Sequence, residues 1–193
     1  MGMEFPAVDA AIALLEKAIK TKPKDTKKRA DLHKKANESL KALDKHMADA
    51  EATFKKNLDA TTRILEEAFG VASSEAKLFD REIVRHLRRA VKLSKEVDRP
   101  KDWTVDFGKA AKTVADWDPK AEGVEELEQG IKFLKSGVKA IDTGMAAHRK
   151  EELECNAMVD EALKDLYELD DAKLKEAVEP YLTRYRGFFH PPG

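Results

Sequence analysis

Residues 26–69 contain neither glycine nor proline, and no other feature constrains the fold as much. A stretch of that length without a turn former cannot build a sandwich or barrel, which needs a turn every ~8–12 residues. Its apolar residues Ala36, Leu40, Leu43, Met47, Ala50 and Phe54 recur at 4-3-4-3-4 spacing, the period of a helix face with a coiled-coil-like seam. Beyond Phe54 the seam either meets Asn57 and Thr61 or drifts through Leu58, Thr62 and Leu65, as a stutter does. At ~1.5 Å of rise per residue this helix is ~65 Å long, which fits an elongated bundle.

The rest of the chain reads the same way. Helices are predicted over about 6–20, 26–69, 74–97, 102–117, 120–169 and 171–186, with an irregular tail at 187–193. Pro6 suits a first helical turn, and Thr21–Asp25, Asp98–Lys101 and Asp118–Pro119 supply the breaks. Gly70 is expected to end the second helix, with Ser73 or Ser74 capping the next. The fifth helix is expected to be the longest, and Pro180 to kink or restart the sixth. No strand-length alternation occurs anywhere, and apolar residues with a helical period plus a net charge of only −1 argue against disorder. The expected class is all-α: one mostly antiparallel helical-bundle domain spanning 1–193.

One internal repeat stands out. Gly123, Gly130, Gly137 and Gly144 lie seven apart in the fifth helix, each just before Val124, Ile131, Val138 or Met145. Each interior glycine costs a helix about 1 kcal/mol relative to alanine, so a close helix contact is expected to offset the stripe. The fourth helix carries Trp103, Phe107, Ala110, Val114 and Trp117 on one face, and its tryptophans are candidates to fill the groove. The other reading is a groove open to a partner helix or apolar ligand.

Candidates for chemistry are few. His148, Glu152 and Cys155 continue the seam of the fifth helix, and all three types ligate transition metals. One helix alone does not complete such a site, so a structural polar layer is the expected role, with no metal and no cofactor. A di-metal carboxylate bundle needs Glu-x-x-His pairs, and this chain has none; Glu82 and His86 are one residue too far apart. Phosphate loops, paired-cysteine motifs and nucleophile elbows are absent too, so no enzyme is expected.

Charge is unevenly spread. Residues 1–101 carry 23 Lys/Arg and 17 Asp/Glu (+6), while residues 102–193 carry 13 and 20 (−7). The third helix concentrates Arg81, Arg85, Arg88 and Lys92, with Lys95, on one face. Such a stripe suits an anionic partner. Nucleic acid is disfavoured, because no aromatic residues interleave with the cations. The single cysteine, the lack of a basic leader and the lack of a ~20-residue apolar run predict a soluble, cytoplasmic chain without a transmembrane segment. The leading expectation is a non-enzymatic adaptor, chaperone-like or structural module that binds a protein partner or self-associates. A membrane-surface or membrane-remodelling bundle using the basic face on anionic lipid is the first alternative. A metal-dependent helical enzyme built on His148, Glu152 and Cys155 is the second.

Overall fold

The computed structural model describes residues 5–76 and 81–189. It contains α1 (Pro6–Lys20), α2 (Thr26–Glu75), α3 (Arg81–Glu96), α4 (Val105–Ala115), α5 (Glu125–Glu168) and α6 (Ala172–Phe189). Among the described residues there is no strand, so the fold is all-α. None of these helices is long and apolar enough to cross a membrane.

Two compact units form, one from the described residues of Met1–Ala52 and Pro100–Met145, the other from those of Thr53–Arg99 and Ala146–Gly193. α2 and α5 contribute to both. In the first unit, Val8, Ala11 and Leu15 of α1 pack with Ala36, Leu40, Leu43 and Met47 of α2. Phe107, Ala110 and Val114 of α4 and Leu127, Leu134 and Ile141 of α5 complete that core. In the second, Leu65 and Ala68 of α2 and Ile83, Leu87 and Ala90 of α3 meet Val159, Ala162 and Leu166 of α5. Leu174, Val178 and Leu182 of α6 close it.

Along α2, burial after Met47 passes over exposed Ala50 and Asn57 and resumes at Leu58, Thr61, Thr62 and Leu65. Thr61 and Thr62 fit this inner face because their hydroxyls donate back to the Leu58 carbonyl, at 2.8 and 3.1 Å. That local bond satisfies a polar group that burial would otherwise leave unpaired.

Several expected boundaries are corrected. Gly70 does not end α2: the helix continues to Glu75 and is, at 50 residues against 44 for α5, the longest. Ser73 and Ser74 donate to the Phe69 and Val71 carbonyls at 2.7 and 3.1 Å, so they bond back into α2 instead of capping α3. The start expected for α3 at 74 does not hold, because Ser74 and Glu75 belong to α2; α3 is described from Arg81, and residues 77–80 lie outside the described residues. α4 is shorter than expected, leaving Trp103 before it and Trp117 after it. α5 begins at Glu125, which leaves Gly123 outside.

Pro180 does not restart α6, which runs as one helix past it to Phe189. The predicted irregular tail is therefore helical over 187–189, and residues 190–193 lie outside the described residues.

Candidate functional site

The glycine stripe meets the chain itself. A Cβ added at Gly130 would sit 2.5 Å from Val114 Cγ2, one at Gly137 2.9 Å from Phe107 Cζ, and one at Gly144 2.5 Å from Trp103 Cε2. These separations are shorter than packed carbons tolerate, since the attractive optimum lies near ~3.5–4.0 Å. Descending order along α4 against ascending order along α5 means the two run antiparallel. Gly123 joins through its backbone: its carbonyl accepts from Trp117 Nε1 at 3.0 Å.

Both tryptophans thus reach glycines, while Phe107 and Val114 occupy the two middle positions. The groove is filled from within, and Phe107 and Val114 are fully buried. Burying such side chains is worth roughly 1.5–3 kcal/mol each, enough to offset the glycine penalty.

A second anchor in this unit escaped the sequence reading. Arg29 is fully buried, and its Nη1 donates to the carbonyls of Pro119 (3.2 Å) and Ala121 (2.7 Å). Its guanidinium lies 4.8 Å from the centre of the Trp117 ring. His33 donates from Nε2 to the Val114 carbonyl at 2.7 Å and stands edge-on to Trp117 at 5.2 Å. Continuing the 4-3 seam backwards from Ala36 lands on His33 and then Arg29. That register was the available signal, and the basic composition around it obscured it.

The second unit holds the buried polar layer. His148 is 5% exposed, with its ring edge-on to Phe54 at 4.8 Å. Its Nε2 is 3.7 Å from Glu152 Oε2, and its Nδ1 has no hydrogen-bond partner among the described residues. Nearby, Thr62 and Ser94 share a 2.5 Å hydroxyl contact, and Arg99 donates to Thr62 Oγ1 at 2.8 Å and to Asp59 at 2.9 Å.

The Cys155 thiol faces the Ala90 carbonyl at 3.5 Å and lies 3.3 Å from the Tyr185 hydroxyl. That hydroxyl donates to Asn156 Oδ1 at 2.6 Å. Burial pushes the Cys155 thiol up, outweighing the Tyr185 bond, with Glu152 adding to the rise. A protonated thiol is a poor ligand and nucleophile. Among the described residues no three His, Cys, Asp or Glu side chains are grouped to hold a metal ion.

Burial lowers the pKa of His148 below its ordinary 6.5; Glu152 raises it and Arg99 lowers it further, both by a smaller amount. The unfolded chain therefore binds a proton here before the folded one does. Stability is full above about pH 6.5 and falls as pH drops below it, by at most about 1.4 kcal/mol per unit. Urea unfolding of His148→Leu measured from pH 7.5 to 5 is expected to lose this component of the acid slope. An unchanged slope would mean that other groups carry it.

The outer face of α3 is basic. Ile83, Leu87 and Ala90 point inward, which leaves Arg85, Arg88, Arg89, Lys92 and Lys95 exposed; Arg81 is the first described residue of the helix, but its side chain lies outside what the structure describes. Arg85 pairs with Glu82 at 2.6 Å, Lys95 with Glu66 at 2.6 Å, and Lys92 approaches Glu96 at 3.9 Å. Arg88 lies over the Phe69 ring at 5.7 Å. Exposed pairs of this kind contribute ~0–1 kcal/mol each, so a partner can exchange them at little cost. No protein-family model, no curated protein and no solved structure matches this chain.

Proposed function

We propose that this chain is a non-enzymatic helical interaction module whose working surface is the outer face of α3, docked on an acidic protein surface. The observation that carries the reading is the row of five exposed cations from Arg85 to Lys95. Two further features support it. The glycine groove is filled by Trp103, Phe107 and Val114, and His148, Cys155 and Tyr185 are buried inside the second unit. The row spans ~15 Å and is framed by Glu66, Glu82 and Glu96. A short stripe framed by carboxylates suits a compact acidic patch on a protein better than a long phosphate backbone, which rewards extended positive surface.

Binding of a fluorescent poly-glutamate peptide tests this. Affinity is expected at low salt and is expected to fall steeply as salt screens the exposed charges. Arg85→Glu, Arg88→Glu and Lys92→Glu together should weaken it by about tenfold or more, which corresponds to ~1.4 kcal/mol. The unfolding midpoint should hold, because all three side chains are exposed. No binding at low salt overturns the reading. Binding to vesicles of anionic lipid but not to the peptide reassigns the face to a membrane surface.

A further inference from the structure

The second unit carries a face that matches α3. On α5, Glu154, Glu161 and Glu168 are exposed and lie seven residues apart. Beside them runs a parallel row, also spaced by seven: Leu153 (64% exposed), Asp160 and Tyr167 (60% exposed). Asp160 pairs with Arg186, and the Tyr167 hydroxyl donates to Glu179 at 2.8 Å, so α6 buttresses this row. On α3 the cations repeat at the same interval, Arg85 with Lys92 and Arg88 with Lys95.

Seven residues advance either helix by ~10.5 Å. The carboxylates of α5 and the cations of α3 therefore share one repeat distance. Facing helices with matched seven-residue charge rows are how flanking positions of helix pairs select their partners. Leu153 and Tyr167 are large side chains left exposed beside these carboxylates, and tyrosine is among the residue types that anchor such a contact.

We infer that the partner of the α3 face is a second copy of this chain, which docks its Glu154–Glu161–Glu168 face of α5 against Arg85, Arg88 and Lys92. This rests on the reading of α3 as the working surface and adds its occupant. The two faces differ, so the contact is head-to-tail and leaves one face of each kind free at the ends of the pair. Association then propagates into longer assemblies or closes into a ring.

Sedimentation velocity at low salt reads this directly. The average sedimentation coefficient should rise with protein concentration and return to the monomer value at high salt. Two neutralised proteins make the test specific. One carries Arg85→Gln, Arg88→Gln and Lys92→Gln; the other carries Glu154→Gln, Glu161→Gln and Glu168→Gln. Each alone should be monomeric. Their equimolar mixture should form a one-to-one pair and stop there, because only one intact face of each kind remains. A wild-type chain that stays monomeric at low salt overturns the inference, as does a mixture that fails to pair. If that chain still binds poly-glutamate, the occupant is wrong and the reading of α3 survives; if it binds neither, both fall.

Discussion

Alanine at Gly130, Gly137 and Gly144 together is expected to lower stability, whereas alanine at Gly70 is expected to raise it. All four glycines sit inside helices, so intrinsic propensity favours alanine by about 1 kcal/mol at each. The difference lies in what the new methyl meets. At Gly70 nothing lies within 4 Å, and the propensity gain is kept whole. At Gly137 the methyl lands 2.9 Å from Cζ of Phe107, which is fully buried in the core of the first unit.

Overpacking of this kind costs about 1–3 kcal/mol per site, so the triple variant should lose about 3 kcal/mol net of the propensity gain. That corresponds to a midpoint shift of roughly 2–4 °C per kcal/mol for a chain of this size. Phe107→Leu removes the clashing end of the ring. Combined with Gly137→Ala, it should cost less than the sum of the two single changes. A triple variant more stable than wild type would show that the α4–α5 approach is looser than these distances imply.

Arg29→Ala is expected to be the most damaging single substitution, at about 4 kcal/mol. The change strips the Pro119 and Ala121 carbonyls of their charged donor, and hydrogen bonds to charged groups contribute about 1.5–3 kcal/mol each. It also opens space beside Trp117, with the cost of an incompletely collapsed cavity. Arg29→Met keeps the apolar stem but not the donors, so it should recover part of the loss. Full recovery by methionine would assign the role of Arg29 to packing alone. Chemical denaturation followed by tryptophan fluorescence suits the measurement, because Trp117 lies under the guanidinium.

How far the fold could be read in advance differed from element to element. The helical period of residues 36–47 and the face Ile83–Leu87–Ala90 were readable because amphipathic spacing records which side each helix buries. The inner position of Trp103, Phe107 and Val114 was readable for the same reason. Gly70 misled because a glycine at a helix end and a glycine inside an exposed helix face are locally identical; only the following residues, here bonded back into the helix, tell them apart. Gly123 misled in the opposite direction, since its seven-residue register suggested a helical position. Its carbonyl instead receives Trp117 from outside α5.

The candidate surfaces divide similarly. The basic row of α3 is a property of spacing alone and could be named from sequence. The neighbouring carboxylates Glu66, Glu82 and Glu96 set its limits, and of these Glu66 comes from another helix. Arg29 was legible only as a register position of the α2 seam, because nothing in its own side chain distinguishes it from the exposed lysines beside it. Its burial depends on carbonyls supplied about ninety residues later in the chain.

Taken alone, the sequence determined that the chain is helical, which face of each helix is apolar and where charge accumulates, since these follow from local propensity and from the 3.6-residue period. Tertiary structure decided what each glycine and each buried polar group does. Those roles are set by distances to residues far away in the chain: Phe107 over Gly137, Trp103 over Gly144, two carbonyls on Arg29, Phe54 against His148. Steric exclusion and desolvation act over a few ångströms in space, and no periodicity along the chain encodes which distant atoms will arrive there.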